Sequence, residues 1–230
     1  MPLNIRADLG AVDQTLKQFV EGIVDDYHNA RSTLNPHPKL SRGVSRIISS
    51  ATEERLAHYL INRHGDIDHI YLDQGISTPD QKLTKPDLVI CKNHAIKMLI
   101  DVKMDLGHKR TDFVYMLKSA SSYVQSVSEK SCWVNAREGN TRRKENLSFS
   151  KNLHYVFFVI SGQNIQAENF QSLEEEAKEH STHVSLITLI RNGHPNESKI
   201  SIDCAKQKML SEVNVHALQQ LSSIVEEHLL

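Results

Sequence analysis

The sequence predicts an α/β fold in which one mixed central β-sheet is flanked by helices. Three observations lead there. Apolar runs of strand length occupy residues 88–91, 96–104, 155–160 and 184–190. Segments whose apolar residues recur at helical spacing precede, separate and follow them. The resulting order is helix, helix, strand, hairpin, helix, strand, helix, strand, helix, which mixes a hairpin with crossover connections in one sheet.

The first helix spans residues 9–27, with Leu9, Val12, Leu16, Phe19, Val20, Ile23, Val24 and Tyr27 along one side. Pro36 and Pro38 mark a loop, after which Ser41 is placed to cap a second helix through Val44, Ile47, Ile48, Ala51, Leu56 and Leu60. Gly65 ends it. A short strand is expected at 67–72 and an exposed loop at 74–84, which holds Gly75, Pro79 and Asp80. A hairpin follows, with strands at 88–91 and 96–104 about a turn at Lys92-Asn93-His94, closed by Gly107.

Thr111 or Asp112 can cap a third helix carrying Phe113, Val114, Leu117, Ala120, Val124 and Val127. Residues 131–151 read as polar, basic and irregular apart from Trp133. The run 155–160 has no alternation, as befits a strand buried on both faces. A polar helix at 165–178, a buried strand at 184–190, an edge strand at 199–204 and a closing helix at 215–229 complete the chain.

A length of 230 residues suits one domain, with a helical part at 1–64, a core at 65–190 and a final strand and helix at 191–230. The longest apolar run is far too short to cross a bilayer and no signal sequence is recognisable at the start, so a cytoplasmic protein without a membrane partner is expected. Cys91, Cys132 and Cys204 are widely separated and form no C-x-x-C pair, which argues against a disulfide framework and a structural zinc. No H-E-x-x-H, G-x-S-x-G or G-x-x-x-x-G-K-[ST] pattern is present, which sets aside zinc proteases, serine hydrolases and P-loop motors.

The chemistry gathers on the hairpin. Pro86-Asp87 opens its first strand and Asp101-Val102-Lys103 lies on its second. Side chains alternate along a strand, so Asp101 and Lys103 share a face and Val102 takes the other. If the hairpin brings Asp87 alongside, two aspartates offer oxygen ligands to a hard divalent cation with an ammonium beside them. Pro79-Asp80 is a weaker candidate because its neighbours are polar and no strand follows it directly. Asp105, two residues beyond Lys103, falls on the same strand face as Asp101.

Pro86-Asp87 followed by Asp101-Val102-Lys103 resembles the signature of the PD-(D/E)XK nuclease superfamily, which includes most type II restriction endonucleases. The resemblance implies a restriction-endonuclease-like core in a single nuclease domain, and Mg²⁺ held by Asp87, Asp101 and the Val102 carbonyl. It gives Lys103 the task of orienting or deprotonating the attacking water, or of stabilising the pentacovalent transition state. Many members add a carboxylate from an upstream helix, which points to Glu54, with Glu53 second. The activity so implied is hydrolysis of phosphodiester bonds in double-stranded DNA at a specific sequence. Repair nucleases and junction resolvases share this chemistry, and a non-catalytic DNA-binding subunit could share the fold.

Lys and Arg total 27 against 28 Asp and Glu, so attraction to DNA must come from segregated rather than excess charge. Arg137, Asn140, Arg142, Arg143 and Lys144 form one candidate recognition segment. His108, Lys109 and Arg110, just past the acidic strand, are placed to touch the scissile backbone. A palindromic target would call for a symmetric homodimer.

Overall fold

The computed structural model describes residues 13–31, 48–106, 110–138, 141–162, 172, 175, 183–195 and 200–229. In chain order the elements are α1 (Gln14–Arg31), α2 (Ser49–Arg63), β1 (His69–Leu72), β2 (Ile76–Thr78), β3 (Gln81–Thr84), β4 (Leu88–Lys92), β5 (Ala95–Asp105), α3 (Arg110–Val127), β6 (Ser131–Glu138), β7 (Thr141–Ser161), β8 (Val184–Ile190), α4 (Ile202–Ser211) and α5 (Val215–Leu229). The chain divides into two compact units, Met1–Arg63 with Pro195–Ser211 and His64–His194 with Glu212–Leu230. Among the described residues, no helix is long and apolar enough to cross a membrane.

The first unit is helical. Asp13 caps α1 by accepting the Thr15 N–H at 3.1 Å, and the helix buries Leu16, Phe19, Val20, Ile23, Val24 and Tyr27, the stripe legible in the sequence. Phe19 stacks on Tyr59 of α2 with ring centroids 5.1 Å apart, and Arg55 grips Asp26 through two hydrogen bonds of 2.5 and 2.9 Å. Leu9, Val12, the Ser41 cap, Val44 and Ile47 lie outside the described residues. Of the edge strand expected at 199–204, residues 202–204 instead open α4. Ser201 caps this helix by accepting the Cys204 N–H at 3.3 Å, and Ala205 and Met209, four residues apart, are its buried contacts. The Ile200-Ser-Ile202-Asp-Cys204 alternation imitates a strand because it ends where the helical period begins.

The second unit is built on an eight-stranded mixed sheet in the order β1-β4-β5-β7-β6-β2-β3, with β8 also paired to β7. β1, β4 and β5 are antiparallel, whereas β7 runs parallel to β5 and to β8. The β4–β5 turn places Asn93 and His94 at φ of 53° and 59°, the two positive values that a two-residue type I′ turn needs. α3 covers one face, where Phe113, Leu117 and Ala120 meet Phe157, Val159, Val184 and Leu186. α5 packs on the other face, where His228 lies against His154 with rings 4.6 Å apart. Burial, helped by His228, lowers the His154 imidazole to about 3, so this histidine is a neutral core residue.

Two segments read as irregular are strands. The expected loop at 74–84 is the β2–β3 hairpin, which turns at Pro79-Asp80 and buries Ile76 opposite Val134 of β6. The polar stretch 131–151 forms β6 and the first half of β7, paired from Ser131↔Ser148 to Glu138↔Thr141. Among its described residues, Cys132, Val134, Leu147 and Phe149 are the buried ones, too few to show a strand period without knowledge of the partner. β7 then bulges. Phe149 faces Ile96 and His154 faces Met98, so four β7 residues stand against Lys97 alone, and past the bulge β7 takes β5 and β8 as neighbours. Of the helix expected at 165–178, only Ser172 and Glu175 are described, both helical.

Candidate active site

Leu88 pairs with Ile100 across the hairpin, so the next step of the register sets Asp87 opposite Asp101. Asp101 is in turn the partner of Phe157, and Lys103 of Val159, on the central strand β7. The Val102 N–H donates to Asp87 Oδ2 at 2.7 Å, tying the first acid to the backbone beside the second. Lys103 Nζ donates to Asp101 Oδ2 at 3.1 Å, as the alternation of β5 requires of residues two apart. Asp101 and Lys103 retain 17% and 24% side-chain exposure, enough for a ligand to reach them from solvent.

Asp87 has its carboxyl raised above the ordinary value. Burial is the largest cause, the Val102 N–H works the other way, and Asp101 and Asp73 add repulsion that Lys103 partly offsets. The sign for stability follows directly. A carboxyl whose folded value lies above its unfolded one favours the fold while protonated, and that contribution is lost as pH rises through the folded value. At neutral pH an ionised Asp87 therefore weakens the metal-free protein. Asp87→Asn, which keeps an oxygen for the Val102 N–H, should raise the melting temperature in EDTA at pH 7, and the gain should vanish at pH 3. A melting temperature lowered at both pH values would contradict this.

Two residues at the site escaped the sequence reading. Asp73 sits at the end of β1 with φ of 52°, and its N–H donates to the Asp87 carbonyl at 2.8 Å. It stands next to Asp87 because β1 is the other neighbour of β4, and its carboxylate is paired with Lys85 Nζ at 2.6 Å. Tyr155, on the strand beside β5, lies near Asp101; burial and that carboxylate push its phenol well up, so it stays protonated. The single available signal was the row of acids at strand ends. Nothing in the sequence registers Tyr155 against Leu99.

Glu54 is exposed on α2, in the other unit, with Oε1 3.8 Å from His58 Nε2. It lies on the side of the helix away from the buried Thr52, Leu56, Tyr59 and Leu60. Asp80 is bound to Lys130 at 2.6 Å, and Asp105 ends β5. His108, Lys109 and Asn140 lie outside the described residues; Arg110 opens α3 and Arg137 belongs to β6. Arg142, Arg143 and Lys144 are exposed on β7.

Among the described residues, no three His, Cys, Asp or Glu side chains gather as a metal site. Two carboxylates and a backbone carbonyl nevertheless fit Mg²⁺, which keeps several of its waters and commonly takes one or two carboxylates. The repulsion between Asp87 and Asp101 is the negative potential that a divalent cation relieves. No protein-family model matches this sequence, and no curated protein matches it significantly.

Proposed function

We propose that this protein is a magnesium-dependent endodeoxyribonuclease of the PD-(D/E)XK superfamily that hydrolyses phosphodiester bonds of double-stranded DNA in the manner of a type II restriction enzyme. The observation that carries the reading is the meeting of Asp87, Asp101 and Lys103 on adjacent strands, half-buried and linked through the Val102 N–H. The parallel strands β7 and β8 that follow α3 support a restriction-endonuclease-like core.

Bound Mg²⁺ supplies neutralisation of the phosphate and a more acidic water. Asp87, with Oδ2 fixed by Val102, and Asp101, which faces it across the hairpin, would hold the ion. The carbonyl of Val102 would complete the protein's ligands. Lys103 places an ammonium where the pentacovalent phosphoryl oxygens gather charge, and donates to the attacking water. A palindromic target is cut by two copies of the chain, so the proposal includes a symmetric homodimer.

Supercoiled plasmid incubated with the protein and Mg²⁺ should yield discrete bands, and EDTA should prevent them. A metal-dependent smear or a preference for branched DNA would move the reading to a repair nuclease or resolvase. Intact plasmid under all conditions would overturn it.

A further inference from the structure

A cleft of about 750 Å³ has Asp73, Lys85, Asn135, Arg142, Arg143 and Lys144 among its walls. Four cations thus face one carboxylate, an excess that the chain as a whole lacks. The β6–β7 register sorts them. Asn135 pairs with Lys144 and Ala136 with Arg143, so Asn135, Arg142 and Lys144 share one face of the ribbon. Arg143 falls on the other with Glu145, where its Nε donates to Glu145 Oε1 at 2.7 Å and Glu145 also accepts the Tyr71 hydroxyl. That contact braces the ribbon against β1. Lys144 rests over the Trp133 ring, 4.2 Å from its centroid, which holds its extended side chain in place.

The far wall of the cleft leads to the chemistry. Asp73 belongs to it, and the Asp73 N–H is bonded to the Asp87 carbonyl. Lys85, two residues before Asp87, is held on Asp73. A polyanion following the cationic wall is thereby brought to Asp73, whose backbone is bonded to that of Asp87.

We propose that this cleft carries the sugar–phosphate backbone flanking the scissile bond, with Arg142 and Lys144 neutralising phosphates and Lys85 leaving Asp73 to meet another. The identity of the polyanion as DNA rests on the nuclease reading. The cleft makes a separate demand: these cations contribute affinity without reading sequence, because phosphates carry no base information.

The test is binding of labelled 20-base-pair duplexes of two unrelated sequences in EDTA between 50 and 200 mM salt. For the wild type, log K should fall linearly with log salt. Arg142→Gln, Lys144→Gln and Lys85→Gln should each reduce the slope by about 1 and weaken both duplexes by the same factor. Lys151→Gln, an exposed cation beyond the paired ribbon, should change neither. An unchanged slope in an Arg142→Gln, Lys144→Gln double variant that melts like the wild type would overturn the proposal, as would a loss confined to one sequence. Wild-type protein that binds with the expected slope but leaves DNA uncut in Mg²⁺ sinks the nuclease reading and spares the cleft. Cleavage by wild type with unchanged slopes in the variants does the reverse.

Discussion

Asp101→Asn and Lys103→Ala should each lower magnesium-dependent DNA cleavage by about 10²–10⁴-fold, the range seen when a group acting directly on the transition state is removed. Neither variant should unfold the protein. The asparagine keeps the size of the aspartate, and Lys103 keeps enough exposure that its loss leaves no sealed cavity. The two differ in what they leave. Asp101→Asn removes a ligand charge, so raising Mg²⁺ or substituting Mn²⁺ should restore part of its rate. Lys103→Ala removes a cation that no metal concentration replaces, so its deficit should persist at saturating Mg²⁺. Circular dichroism and melting curves close to those of the wild type, combined with the lost cleavage, would attribute the effect to chemistry. Full activity in either variant would remove the proposed site.

Phe113→Ala should destabilise the protein by about 3–5 kcal/mol, the cost of emptying a fully buried aromatic position. Phe113 has no exposed surface and meets Phe157 edge-on with ring centroids 5.3 Å apart, which makes it the main anchor of α3 on the sheet. At roughly 2–4 °C per kcal/mol for a protein of this size, the melting temperature should fall by about 6–20 °C. Phe157 is the β7 partner of Asp101, so the cavity opens against the neighbour of the second acid. Thermal denaturation followed by circular dichroism reads the effect, and a fall below about 3 °C would mean that α3 is held elsewhere. The two sets of variants thus separate: one loses cleavage at unchanged stability, the other loses stability first.

The hairpin was readable from the chain because its determinants are local. Leu88 to Cys91 and Ile96 to Ile100 are apolar runs about a short turn, and alternation alone puts Asp101 and Lys103 on one face. α3 and α5 were equally legible, since a helix writes its buried side into residues three and four apart. The segment 131–151 was not, because its strand character comes from a register between residues far apart, with hydrogen bonds to a partner that no periodicity announces. α4 was misread for a related reason: two buried residues four apart are too faint a helical stripe to overrule a local alternation.

The site divides in the same way. By itself the sequence determined the acid–Val–Lys step on β5 and the aspartate that opens β4, because strand geometry ties side-chain direction to residue number. Only the tertiary structure decided that Asp73 and Tyr155 lie near them, that Glu54 belongs to an exposed face of another unit, and that Arg142 and Lys144 line a cleft with Asp73 and Lys85. Each of these depends on which strand lies beside which, and sheet order is set by the burial of non-local apolar surface rather than by any local pattern in the chain.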